Sequence, residues 1–178
     1  MRRRTEEVDI TVELAGEVEI NTEDEEFDHL LATLLFYLDR PGKISASWDL
    51  RHHLWEDTGI VFGKTLKDET TVKDITRYGN AVVPMDEALV LVSIDISRPY
   101  LVFDLHPTEP ENGFSLTLAK QFLNALSRSL EATIHLKQLS GENAHHVIEA
   151  GFKGLGLALR QGLKASSRIE SPKGDLRC

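Results

Sequence analysis

The string His52-His53-Leu54-Trp55-Glu56 returns 93 residues later as His145-His146-Val147-Ile148-Glu149, a displacement of about half the 178-residue chain. Its surroundings return with it. Each half reads as a strand-rich section followed by helix, strand and helix, so the chain is expected to be an internally duplicated α+β protein. In the first half Val8, Ile10, Val12 and Leu14 alternate, and Ala15-Gly16 turns the chain back through residues 17–20. That pattern predicts a hairpin of two strands over residues 5–20. An acidic run at residues 23–26 then suits the positive end of a helix dipole. Leu30, Leu31, Leu34, Leu35 and Leu38 follow at helical spacing until Arg40-Pro41-Gly42 stops the helix.

The remaining elements follow from the same periodicities. Residues 43–50 predict a strand and 51–66 a helix; 78–83, 88–95 and 100–105 predict strands. Residues 114–130 predict a helix, 132–139 a strand and 143–164 a long helix. The halves are therefore residues 1–75 and 76–165, followed by a tail, 166–178, without an apolar face. Gly151, Gly154 and Gly156 inside the last helix each cost up to roughly 1 kcal/mol relative to alanine, which close packing against a neighbour would explain.

Composition narrows the class. With 41% apolar and 28% charged residues the chain has the make-up of an ordinary globular protein. No stretch approaches the roughly 20 apolar residues of a membrane span, and Met1-Arg2-Arg3-Arg4 has no apolar segment behind it to make a signal peptide. The only cysteine is the last residue, Cys178, which leaves no internal disulfide and no cysteine-based zinc site. The cytoplasm is the expected compartment. A net charge of −9 argues against nucleic acid as a partner, because neutralising phosphates takes clustered Lys and Arg.

The repeated motif points to metal. On a helix His52 and Glu56, like His145 and Glu149, stand four apart on one face, where an imidazole and a carboxylate share a divalent cation. The neighbouring histidine is rotated by about 100°, so an adjacent pair serves two different ions better than one. A lone His-His pair is more often surface or capping; two copies, each with a Glu at the same offset in the same context, favour ligation. Lys153 lies two turns after His145 on a similar face. His106 and His135 lack such context and read as structural or surface residues, and the 23–26 run reads as helix-start electrostatics rather than a metal site.

The chain resembles the imidazoleglycerol-phosphate dehydratase family in stretches spread over nearly its whole length. They are Arg4-Thr5-Glu6-Glu7, Phe27-Asp28-His29, His52-His53 with Glu56-Asp57-Thr58, Ile75-Thr76-Arg77-Tyr78-Gly79, Pro84-Met85-Asp86-Glu87-Ala88-Leu89 and Arg98-Pro99-Tyr100-Leu101. Gly141-Glu142-Asn143-Ala144-His145-His146, then Glu149-Ala150 and Phe152-Lys153, and finally Ser171-Pro172-Lys173-Gly174 complete the set. The resemblance implies a duplicated fold of the ribosomal-protein-S5-domain-2-like kind. It implies trimers assembled into an octahedral 24-mer, a homo-oligomer with active sites between subunits and two Mn²⁺ ions in each. By position it makes His29, His52, His53, Glu56, His145, His146 and Glu149 metal ligands. It assigns Arg77, Arg98, Lys153, Ser171 and Lys173 to the substrate phosphate, and brings the tail onto the active site. The chain departs from the family where Gln121 replaces a histidine at the start of the third helix, where Thr33 replaces a glutamine, and in a shorter loop before His52.

The implied reaction is loss of water from imidazoleglycerol phosphate to give imidazoleacetol phosphate, in histidine biosynthesis. The proton to be removed is not acidic and hydroxide leaves poorly; cations that stabilise an anionic imidazole ring ease both problems. Glu149 is the expected acid/base group, with Glu7 helping the leaving water. Arginines suit the phosphate because a guanidinium gives two parallel hydrogen bonds. A two-metal phosphate-ester hydrolase and a non-catalytic metal-binding assembly would use the same ligands and stand as alternatives.

Overall fold

The computed structural model describes residues 1–70, 75–109 and 113–166. In chain order the elements are β1 (Arg2–Arg4), β2 (Val8–Glu13), β3 (Glu19–Asn21), α1 (Glu25–Leu38), β4 (Lys43–Trp48) and α2 (Arg51–Asp68). They continue with β5 (Tyr78–Met85), β6 (Ala88–Ile96), β7 (Tyr100–Asp104), α3 (Leu116–Leu130), β8 (Ala132–Ser140) and α4 (Ala144–Gly162). Two four-stranded sheets share one topology, β1-β2-β4-β3 and β5-β6-β8-β7, antiparallel except for the parallel pairs β3–β4 and β7–β8. The duplicated α+β architecture is thus present.

Strand pairing corrects one expectation. Residues 5–20 are not a hairpin: β4 lies between β2 and β3, and β1 takes the other side of β2. The reason is topological. The β3 strand leads into α1, and a helix crossover returns the chain parallel to the strand it left, so β4 pairs with β3 and fills the place a hairpin partner would take. Alternation within strands was legible regardless: Val8, Ile10 and Val12 of β2, and Ala88, Val90, Val92, Ile94 and Ile96 of β6, are all buried.

Helix boundaries follow their caps. Asp24 accepts the Phe27 N–H at the start of α1, Ser115 the Leu118 N–H at α3 and Asn143 the His146 N–H at α4. Leu50, before α2, offers no cap; Arg51 instead binds Asp24 from Nε at 2.6 Å and Nη2 at 2.9 Å, and Trp55 Nε1 donates to the same carboxylate at 2.9 Å. The acidic run therefore does helix-start work, as expected.

α1 packs against α4, and α2 against α3, over a single core. Phe27 stacks on Trp55 at 4.1 Å and meets Phe122 edge-on at 5.5 Å, while Phe122 stacks on Phe152 at 5.6 Å, so aromatic rings from both halves form its centre. Two glycines set how closely the helices approach. A Cβ on Gly156 would lie 2.8 Å from Leu34 O and 2.9 Å from Leu38 N; a Cβ on Gly63 would lie 3.0 Å from both Leu126 O and Leu130 N. These contacts match residue for residue, with an offset of 93 on α2/α4 and 92 on α1/α3. Gly154 sits against Val92 of the sheet, while Gly151 is less confined, 3.1 Å from a Leu136 methyl.

Candidate metal centre

The first turn of α4 aims His145 and Glu149 the same way, and their Nε2 and Oε2 atoms are 2.7 Å apart. Packing of α1 on α4 adds what spacing along α4 does not specify: His29 Nε2, 120 positions away, reaches the same Glu149 oxygen at 2.8 Å. One turn further along α4, Lys153 Nζ holds the other oxygen at 3.0 Å and lies 3.4 Å from Met85 Sδ. Phe114 closes one wall, stacked on the His145 ring at 4.1 Å and edge-on to His29 at 6.3 Å.

Glu149 is 7% exposed. Burial works against its charge, yet hydrogen bonds from His29, Lys153 and His145, together with the Lys153 charge, hold its pKa down at about 2. A carboxylate ionised throughout the physiological range and faced by two imidazoles is what a cation requires. The donor atoms of His29, His145 and Glu149 lie within 4.8 Å of one another. Two imidazoles with one carboxylate bind Mn, Fe, Co, Ni or Zn, so the residues fit a divalent ion.

The adjacent histidines point to different neighbours. His146 Nδ1 lies 2.8 Å from Glu87 Oε2, and its Nε2 is 3.7 Å from Asp86. Glu87 is held at a pKa of about 2 by the Asn143 N–H, His146 and the Glu142 N–H, and the His146 pKa is raised in turn, chiefly by Glu87. The first motif repeats this part: His53 Nδ1 lies 2.7 Å from Asp49 Oδ1 and 3.9 Å from Glu7, and the Asp49 contact raises its pKa. Glu7 and Glu87 stand just before the corresponding strands β2 and β6. Their shared position is the sequence signal that would have marked Glu87, and i,i+4 spacing to His53 the one that would have marked Asp49, as groups that orient histidines; Phe114 had no such signal.

Among the described residues of one chain the two motifs do not form a common pocket. His29, His145 and Glu149 converge, whereas His52, His53 and Glu56 are not drawn into that cluster, and His52 and Glu56 are exposed. The two helix starts do share one end of the molecule, since Arg51 Nη1 reaches Gly113 O at 3.4 Å beside the Phe114 that stacks on His145.

The expected phosphate residues are spread more widely. Lys153 is at the centre. Arg77 is buried, forks onto Asp95 at 2.5 and 2.9 Å, and bonds through its N–H to Gly162 O at the far end of α4. That end lies roughly 25 Å along the helix from His145. Arg98 is exposed in the turn before β7, and its carbonyl accepts a hydrogen bond from Thr133 at the start of β8. Ser171 and Lys173 lie outside the described residues. Among the described residues no helix is long and apolar enough to cross a membrane.

Comparison with known proteins matches this architecture to one family. The family model for imidazoleglycerol-phosphate dehydratase matches residues 22–159. An imidazoleglycerol-phosphate dehydratase of Pyrococcus furiosus is 55% identical over 177 residues, covering 99% of this chain and 100% of the relative; one from Ruminiclostridium cellulolyticum is 40% identical over 98% of this chain and 96% of its own length. A crystal structure of IGPD from Pyrococcus furiosus in complex with (S)-C348 superposes with a TM-score of 0.95 at 54% identity, over 98% of this chain and 99% of that one. The Staphylococcus aureus imidazoleglycerol-phosphate dehydratase structure gives 0.82 at 31% identity, over 93% of this chain and 98% of its own. This chain belongs to the imidazoleglycerol-phosphate dehydratase family.

Proposed function

We propose that this chain removes water from imidazoleglycerol phosphate to give imidazoleacetol phosphate, as a metal-dependent lyase of histidine biosynthesis in the cytoplasm. The observation that carries the reading is the convergence of His29 and His145 on one oxygen of a buried, ionised Glu149. Two Mn²⁺ ions per site, held among His29, His52, His53, Glu56, His145, His146 and Glu149, would supply Lewis acidity that stabilises negative charge on the substrate's imidazole ring.

The chain's own groups do the rest. Lys153 fixes one Glu149 oxygen, which orients the carboxylate and keeps it charged, ready to accept the carbon-bound proton. Glu7, within 3.9 Å of His53, orients the departing hydroxyl or gives it the proton with which it leaves as water. Glu87 and Asp49 hold the His146 and His53 rings through Nδ1 and leave Nε2 free to ligate. Arg98, Ser171, Lys173, Lys153 and Arg77 take the phosphate and so anchor the ring by remote binding. The distance of Arg77 from His145 along α4 supports active sites shared between subunits of a homo-oligomer, the trimer-based 24-mer of the family. The duplicated fold is read as ribosomal-protein-S5-domain-2-like.

Purified protein, stripped of metal and reloaded with Mn²⁺, tests the reading on imidazoleglycerol phosphate. The expected result is imidazoleacetol phosphate only after reloading. Full activity after exhaustive chelation removes the metal, and release of inorganic phosphate without the ketone replaces the dehydratase by a phosphatase.

A further inference from the structure

The imidazoles at the helix starts are oriented in two ways. His53 and His146 each meet a carboxylate through Nδ1, Asp49 at 2.7 Å and Glu87 at 2.8 Å. His145 meets Glu149 through Nε2 at 2.7 Å, and among the described residues no hydrogen bond reaches its Nδ1. A ligating histidine generally has its other ring nitrogen tied to a carboxylate, a carbonyl or water, which fixes the ring. An aromatic ring stands in place of that tie. Phe114 lies 4.1 Å from His145, centroid to centroid, and within 10° of parallel.

Phe114 serves two rings at once. His29, whose contact with Glu149 is also through Nε2, meets Phe114 edge-on at 6.3 Å and His145 edge-on at 5.8 Å. Three rings thus hold one another beside the carboxylate in stacked and T-shaped pairs. The backbone leaves Phe114 little room to swing away. Gly113 before it has φ +92°, and a Cβ there would run into the Glu26 carboxylate. Both Nη atoms of Arg51 face the Gly113 carbonyl at 3.4 Å, and Arg51 is itself anchored on Asp24 and Glu26. The residue before His52 therefore braces the segment that lies on His145.

We propose that Phe114 is a positioning residue for the ligating histidines: stacked on His145 and edge-on to His29, it fixes both ring planes so that their Nε2 atoms stay directed at the cation beside Glu149. The inference rests on the metal-dependent reading above and deepens it. Phe114 supplies no ligand atom. It restrains ring torsions that would otherwise have to be frozen when the ion enters, and so raises affinity by preorganisation.

Assembled protein loaded with Mn²⁺ and dialysed against stepped concentrations of chelator tests this. Retained manganese is measured by elemental analysis, and imidazole coordination by the nitrogen modulation in pulsed electron paramagnetic resonance of bound Mn²⁺. Phe114→Leu keeps apolar bulk without a ring face; it should release manganese at about tenfold lower chelator than wild type and show weaker nitrogen modulation. Phe114→Tyr keeps the ring face and should match wild type in both. The metal-free melting temperatures of the two variants should agree. Wild-type retention by Phe114→Leu, equal losses in both variants, or a metal-free melting temperature lowered in the leucine variant alone each overturn the role of Phe114 and leave the metal-dependent reading standing. Wild-type protein that retains no manganese overturns that reading and this inference with it.

Discussion

The two helix starts that carry the repeated motif are built on the same skeleton and finished differently. Gly156 lets α1 approach α4 as Gly63 lets α3 approach α2, with equivalent backbone atoms at nearly equal distances. At the start of α4 the result is an enclosed carboxylate with two imidazoles and an ammonium around it. At the start of α2 the equivalent Glu56 is exposed, and the buried carboxylates nearby are Asp24, held by Arg51 and Trp55, and Asp57, held by Arg3. One start gathers donor groups around a buried carboxylate, the other is a structural anchor beside an exposed His52 and Glu56. The two halves share the packing and differ in the side chains gathered at the helix starts.

Removing the acid from each motif bears hardest on this contrast. Glu149→Gln should lower turnover by about 10²–10⁴-fold, and Glu56→Gln should cost less, because only Glu149 is assigned both ligation and proton transfer. Steady-state kinetics with each variant checks it, and equal losses would dissolve the asymmetry.

The caps differ in the opposite sense. Asp24→Ala takes the acceptor from the Trp55 and Phe27 N–H groups and leaves Arg51 only Glu26 and Gly113 O, and should destabilise by about 1–3 kcal/mol, against about 1 kcal/mol for Ser115→Ala, read from denaturant midpoints. For Asp24, burial raises the pKa but hydrogen bonds from Arg51, Trp55 and the Phe27 N–H leave it below 3.8. Its stabilisation is therefore complete above that value and lost as pH falls through the lower folded one. An acid limb common to wild type and Asp24→Asn would contradict this.

The skeleton itself should be even-handed. Gly63→Ala and Gly156→Ala should each cost roughly 1–3 kcal/mol by overpacking against backbone, and a large inequality in their midpoints would mean that the two interfaces are not equivalent. The smallest effect belongs to Glu87. Its folded pKa of about 2 lies below the ordinary 4.5, so its contribution is present above 4.5 and fades as pH falls to about 2. Glu87→Gln should flatten that part of the stability profile, as seen in thermal melts across the range, and by little because the side chain is exposed.

The sequence by itself determined the repeat, the order of nearly all elements, and the pairing of His145 with Glu149. Each depends on periodicities of two or 3.6 residues that the backbone imposes within a turn or two. The third member of the cluster was legible only through family resemblance, because nothing near His29 points to a partner 120 residues away. Tertiary structure decided that partnership, the insertion of β4 between β2 and β3, the commitment of Arg77 to Asp95 and the placing of Phe114 against His145. These depend on how closely whole helices and sheets can approach. That is set by packing between segments distant along the chain, of which a local pattern carries no record.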